Sequence, residues 1–295
     1  MTAPQTIVAA TDFSGNANRA VRQAAYLAKS WNARLIVVHV FNDSAWASLR
    51  AVYSMQAWTS QEPLKTAELR LERLCREIGE EFGIQVESEM LRGRASQQIG
   101  ELVAARRAGM LVVGEHGENW VSDVVLGGTA LKVLETTSIP VLLVRRSEPG
   151  TYSDIVIATD FSAAAERGAR LALERFPAAN SAMVHAWLVP LEASLRMGGA
   201  QEPDIERCRE REFAQAGAGL EAFAQSCRAG AAAGSPELLA LHGSPAAVVF
   251  GQVRARGADL IVIGKHGGTA LDERLLGSVT QNILYHSECD VLLGA

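Results

Sequence analysis

Short, nearly continuous apolar runs alternate along this chain with longer stretches that are apolar on one face only. In the first half the runs are Ile7–Ala10, Leu35–Val40, Val86–Leu91, Met110–Val113 and Val141–Val144. Runs of this length and purity predict strands buried on both faces of a sheet. Behind Ser14, a residue suited to capping, Ala17, Val21, Ala24 and Ala28 recur at helical spacing. A second helix is expected over Leu64–Phe82 with Leu71, Leu74 and Ile78 facing inward, a third over Ser96–Arg107, and a fourth from near Gly128. Alternation of this kind is the signature of βαβ units on a parallel sheet, whose right-handed crossovers put helices on both faces.

The pattern then starts again. Ile7-Val8-Ala9-Ala10-Thr11-Asp12-Phe13-Ser14 returns as Ile155-Val156-Ile157-Ala158-Thr159-Asp160-Phe161-Ser162. Leu111-Val112-Val113-Gly114-Glu115-His116-Gly117 returns as Ile261-Val262-Ile263-Gly264-Lys265-His266-Gly267, and Leu126-Gly127 as Leu276-Gly277. A period near 150 residues is too long for a solenoid, so each copy should own a core. The expectation is a tandem α/β protein, residues 1–147 and 152–295, with the polar segment from Arg145 to Thr151 as linker.

Composition narrows the function classes. The 295 residues are 48% apolar and 21% charged, ordinary for a water-soluble fold. No apolar run approaches the length of a membrane span, and the first one stops at Thr11-Asp12, too soon for a secretory leader. Four isolated cysteines show no metal-ligand spacing and predict reduced thiols in the cytoplasm. A formal charge of −5 gives no footprint for nucleic acid.

The most strongly repeated segments are the turn after strand one and the loop after strand four. In open parallel sheets ligands bind beyond the carboxyl ends of the strands, at the switch point where these two meet. The second copy there reads Gly264-x-x-Gly267, nine residues, then Gly277-Ser278. Gly264 and Gly267 lack a Cβ and let backbone approach a ligand or take positive φ. Gly277-Ser278 opens a helix, whose free N–H groups and dipole attract anions, with hydroxyls from Ser278 and Thr280.

This pattern resembles the nucleotide signature of the universal stress protein family, Gly-x2-Gly-x9-Gly-[Ser/Thr], and the resemblance spans both halves. It implies two Rossmann-like, adenine nucleotide α-hydrolase-like domains, each with a five-stranded parallel sheet. It further implies ATP, accompanied by Mg²⁺ with no ligands from side chains alone. Ala158, Thr159, Asp160 and the backbone at Ala186 would surround ribose and adenine. Ile263 and Gly264 would lie beneath, and Gly267, Gly277, Ser278, Val279 and Thr280 would contact phosphates. It also implies a stress-response sensor or regulator, pairing of the two copies within a chain, a homodimer, and at most slow ATP hydrolysis or autophosphorylation. No catalytic base or nucleophile is identified.

The halves are unequal. The corresponding first-copy positions are Ala10, Asp12, Val40, Val113, Gly114, Gly117, Gly127, Gly128 and Thr129. Gly128 replaces the Ser/Thr, and Ala130 stands where the second copy has Thr280. The first glycine loop carries Glu115, Glu118 and Asp123 without a cation, whereas the second sets Lys265 and Arg274 against Asp272 and Glu273. Nucleotide is therefore expected mainly in the second copy, although residues 1–147 hold 16 basic against 15 acidic residues and residues 148–295 hold 12 against 18.

Simpler readings stand beside these. Asp12 and Asp160 could serve only the helix starts; His39 and His185 read as packed, hydrogen-bonded histidines; His116 and His266 lie in the glycine loops without an assigned role. Trp46, Tyr53, Met55 and Trp58 suit either a partner surface or a lid on their own domain. The second functional class is an interaction module that has lost nucleotide binding. The third, an enzyme of a related α/β superfamily, is opposed by missing motifs: no Gly-x4-Gly-Lys-[Ser/Thr], no Gly-x-Gly-x-x-Gly after strand one, and Ser14-Gly15-Asn16-Ala17 in place of Ser-Gly-Gly-x-Asp.

Overall fold

The computed structural model describes residues 6–44, 46, 61–115, 127–228, 234–265 and 276–295. The chain divides into two compact units, Met1–Thr151 and Tyr152–Ala295. The first unit runs β1 (Thr6–Ala10), α1 (Gly15–Trp31), β2 (Arg34–Phe41), α2 (Gln61–Phe82), β3 (Val86–Arg92), α3 (Ala95–Ala105), β4 (Met110–Gly114), α4 (Gly128–Thr136) and β5 (Val141–Val144). The second runs β6 (Asp154–Ala158), α5 (Ala163–Arg175), β7 (Asn180–Trp187), α6 (Glu192–Met197), α7 (Glu202–Arg228), β8 (Glu237–His242), α8 (Pro245–Arg256), β9 (Leu260–Gly264), α9 (Ser278–His286) and β10 (Asp290–Gly294).

Each unit is a five-stranded, all-parallel sheet, ordered β3-β2-β1-β4-β5 in the first and β8-β7-β6-β9-β10 in the second. The order reverses beside β1 and β6, the first strand of each copy, which is where a parallel sheet opens a crevice. The central strands are dry on both faces because helices cover both. In the first unit α1 and α2 pack on one side while α3 and α4 pack together on the other; α5 with α7, and α8 with α9, do the same in the second. Ile7, Val8, Leu111, Val112, Val156, Ile157, Ile261 and Val262 have no measurable exposure as a result.

Local chemistry sets the helix starts. Ser14 and Ser162 accept the N–H of Ala17 and Ala165 at 3.2 Å, closing the first turns of α1 and α5. Asn32 ends α1 in the left-handed conformation, its N–H bonded to Ala28. Gln23, fully buried on α1, spends both ends of its amide on the backbone of Gly150, at 2.9 and 2.8 Å. Tyr152 donates to the equally buried Asp290 at 2.6 Å in the second unit. Both contacts satisfy polar groups that would otherwise be costly to bury.

Candidate functional site

In the second unit β6 and β9 are parallel neighbours, so their carboxyl ends emerge at the same edge of the sheet. β6 delivers Ala158, Thr159 and Asp160 there, β7 delivers Ala186, and β9 delivers Ile263 and Gly264. The N–H of Gly277 reaches the Lys265 carbonyl at 3.2 Å and seats the start of α9 beside the end of β9. Ser278 is exposed at the head of that helix. The first-turn amides at Ser278, Val279 and Thr280 belong to the set that an α-helix cannot satisfy internally. Gly117, Gly267, His116 and His266 lie outside the described residues, as do Tyr53, Met55 and Trp58.

The turn after the first strand is built alike in both units. Thr11 and Thr159 accept the N–H of Phe13 and Phe161 at 2.9 Å. Asp12 and Asp160 each accept the N–H of the capping serine at 3.0 Å. That bond occupies one carboxylate oxygen, and the N-cap itself is the serine, so the aspartates hold the turn rather than the helix end. Phe13 and Phe161 sit at positive φ, 68° and 65°, pinned by stacking on His39 and His185 at 4.3 and 4.2 Å. Nδ1 of each histidine lies 2.8 or 2.9 Å from the carbonyl of Thr11 or Thr159. A carbonyl only accepts, so Nδ1 carries the proton. Burial pushes the His39 pKa down against the opposing pull of that carbonyl and of Asp12. Both histidines are packed structural groups, as their pattern suggested.

Two assignments change on inspection. Gly264 does not take positive φ, and the space its Cβ would need is filled by protein: it would lie 2.7 Å from the Ala165 nitrogen. Gly114 is the same, with Asn16 backbone atoms at 2.9 Å. These glycines let the amino end of α5 or α1 pass over the strand end; ligand approach is not what requires them. Thr280 is also reassigned. Its hydroxyl, on a residue only 3% exposed, donates to the Gly264 carbonyl at 2.9 Å. It therefore braces α9 against β9, and Ala130 cannot do the same in the first unit.

The first unit has a cleft of about 950 Å³ at the matching edge. Ala10, Asp12, Val40, Val113, Gly114, Gly127, Gly128 and Thr129 all line it. The Gly127 N–H closes on the Glu115 carbonyl at 2.9 Å, repeating the loop base of the second unit. The acidity expected of this loop is reduced at Glu115, which pairs with Arg145 at 2.9 Å while both are largely shielded from water. Arg94 and Lys132 also line the cleft, and sequence reasoning passed over both. The signal that could have found them is the register of the copies: Gly93 and Gly243, both at positive φ, bond back to Phe41 and Trp187, so Arg94 corresponds to Ser244. Lys132 and Asn282 are likewise the fifth residues of matched nine-residue helices.

Among the described residues no group of three or more His, Cys, Asp or Glu could hold a metal ion, and no helix is long and apolar enough to cross a membrane.

Comparison with known proteins agrees with this architecture. The model of the Universal stress protein family matches the chain twice, over residues 4–145 and 151–293. A universal stress protein of Methanocaldococcus jannaschii is 28% identical over 140 residues, 48% of this chain and 81% of its own. One from Mycolicibacterium smegmatis is 23% identical over 317 aligned positions, covering 97% of this chain and 96% of its own. Among solved structures, a universal stress protein from Archaeoglobus fulgidus shares the fold with a TM-score of 0.69, at 17% identity and 98% coverage of both chains.

Proposed function

The chain belongs to the universal stress protein family, and on that premise we propose that it is a cytoplasmic, ATP-binding regulator of the stress response. Its nucleotide is held mainly by the second unit. The observation that carries this reading is the meeting of the Asp160 turn with the uncapped, hydroxyl-headed start of α9 at the sheet's switch point. Asp160 stands on the ribose side of the pocket, and the Ala186 backbone borders the base. The Val279 and Thr280 amides and the Ser278 hydroxyl and amide receive phosphate oxygens, at about 1.5–3 kcal/mol for each charged hydrogen bond. Gly277 contributes as the N-cap, and Gly267 as a member of the loop it closes. Mg²⁺ would accompany the phosphates. Nucleotide occupancy would set conformation or assembly, through a homodimer measurable by sedimentation.

The test is to denature freshly purified full-length protein, chromatograph the supernatant for adenine nucleotide, and titrate ATP into the stripped protein. Retained nucleotide, or saturable uptake from which Ser278→Glu removes the second unit's share, is expected; no uptake at millimolar ATP ends the reading. A second reading, docking of a protein partner without nucleotide, is favoured by Leu191, Met197 and Phe213, which are 77%, 82% and 54% exposed.

A further inference from the structure

We propose that the first unit's cleft is a salt-gated nucleotide site in which the side chains of Arg94 and Lys132 grip the phosphates, replacing the helix-head hydroxyl that this copy lacks. The proposal rests on the nucleotide reading of the second unit and assigns this copy a different means of holding the same chemical class. Three observations carry it.

The cleft already gathers the ribose-side aspartate, Asp12, with the Val40 strand end and the start of α4. Its volume of about 950 Å³ lies at the upper end of what small-ligand sites occupy. The two added cations are exposed, and neither has an ion-pair partner among the described residues. The second unit offers neutral Ser244 and Asn282 at those positions.

Arg94 is also out of place by local rules. It is the N-cap of α3, makes no capping bond with its side chain, and sets a positive charge at the positive end of the helix dipole. Neither α3 nor α4 has an acidic residue in its first turn to offset this. A local rule broken without compensation inside the chain is expected where a ligand supplies the compensation. An anion between the starts of α3 and α4 would do so.

Glu115 does not oppose it, since Arg145 holds that carboxylate. Asp12 is the remaining acidic side chain lining the cleft among the described residues, and its Oδ1 faces the Ser14 amide.

Grip by exposed side-chain charge is screened by salt over about 10 Å at 0.1 M, whereas a cradle of helix-head amides and a hydroxyl is less affected. The experiment is calorimetric titration of ATP into the full-length chain at about 50 mM and about 300 mM salt. Four proteins are compared: wild type, Ser278→Glu, Arg94→Ala/Lys132→Ala, and the three changes combined. Ser278→Glu blocks the second unit's site with a carboxylate on an exposed residue. The expected result is that Ser278→Glu retains one site whose affinity falls about ten-fold across that salt range. The combined variant loses that site, while Arg94→Ala/Lys132→Ala keeps only the salt-tolerant one. A Ser278→Glu protein that binds nothing, or binds independently of salt or of Arg94 and Lys132, overturns the inference and leaves the second-unit site intact. A wild-type chain that binds no ATP at either salt removes both readings.

Discussion

Replacing Gly264 by alanine separates two reasons for a glycine at the end of β9. If the residue is there so that a ligand can approach, Gly264→Ala should leave the empty protein as stable as before and weaken ATP binding. The packing says otherwise. The new Cβ would sit 2.7 Å from the Ala165 nitrogen, 3.2 Å from the Ala164 carbonyl carbon and 3.2 Å from the Ala165 Cα. Comfortable non-bonded separation is about 3.5–4.0 Å. All three are backbone atoms at the amino end of α5, so no side-chain rotation relieves the clash. The helix start must shift, and with it the Ser162 cap on Ala165.

Overpacking of this kind costs about 1–3 kcal/mol, a fall in melting temperature of roughly 2–10 °C for a unit of this size. Gly251→Ala is the control. It lies inside α8, its Cβ would meet nothing within 4 Å, and it should stabilise by about 0.5–1 kcal/mol. Hydrogen exchange of peptides spanning Ala163–Arg175, measured without nucleotide, reads the effect where it arises. Faster exchange in Gly264→Ala and unchanged or slower exchange in Gly251→Ala are expected. Equal protection in the two variants, with ATP affinity lost only in Gly264→Ala, would refute the packing account.

Thr280→Val keeps the buried shape but removes the donor to the Gly264 carbonyl, so urea denaturation should show a loss of about 1–2 kcal/mol in the second unit. The same change should leave ATP affinity within about two-fold, because that hydroxyl is already spent on the Gly264 carbonyl. His39 titrates below its ordinary value because it is buried. Between that lowered value and about 6.5 the unfolded chain binds the extra proton, so stability rises with pH through this window and is lost as pH falls through it. Thermal melts from pH 7.5 to 5 should show that slope, and His39→Gln should flatten it. Burial raises the thiols of Cys75 and Cys227 to about 11, leaving roughly one in a thousand as thiolate at pH 8. Both should resist iodoacetamide in the native protein and react once it is unfolded, as mass spectrometry of the labelled peptides would report.

The fold was legible because burial on two faces leaves little ambiguity in an apolar run. Val141–Val144 matched its strand end to end, and the other first-copy runs grew by one or two residues where polar flanks such as Arg34 and Arg92 continue the pairing. Helix α6 escaped notice, since its six residues, none of them buried, carry no apolar periodicity and enter through Leu191 at positive φ. The site was legible by position and less so by role. Repetition of Gly114 as Gly264 marked a constrained backbone but could not say which neighbour imposed the constraint. Thr280 looked like a phosphate ligand because sequence does not disclose that its hydroxyl points back at a carbonyl. Arg94 and Lys132 were hidden for the opposite reason: they lie outside every repeated motif and reach the cleft only through the packing of α3 on α4.

That last point bears on how a duplicated domain comes to treat two ligand sites differently. The parts both copies keep, the Thr-Asp turn, the stacked histidine and the glycine against the next helix, are the parts on which the strand ends depend. Losing any of them would cost stability whether or not a nucleotide binds, so their persistence says nothing by itself about binding. Three of the parts that differ, Ser278 against Gly128, Ser244 against Arg94 and Asn282 against Lys132, are exposed and nearly free to change as far as folding is concerned, whereas Thr280, which corresponds to Ala130 in the register of the copies, is buried. The differences at those three exposed positions alter charge and hydrogen bonding toward solvent while leaving the scaffold alone. A hydroxyl on a helix head and a pair of exposed cations are two ways to hold an anion. They differ most in how each responds to salt.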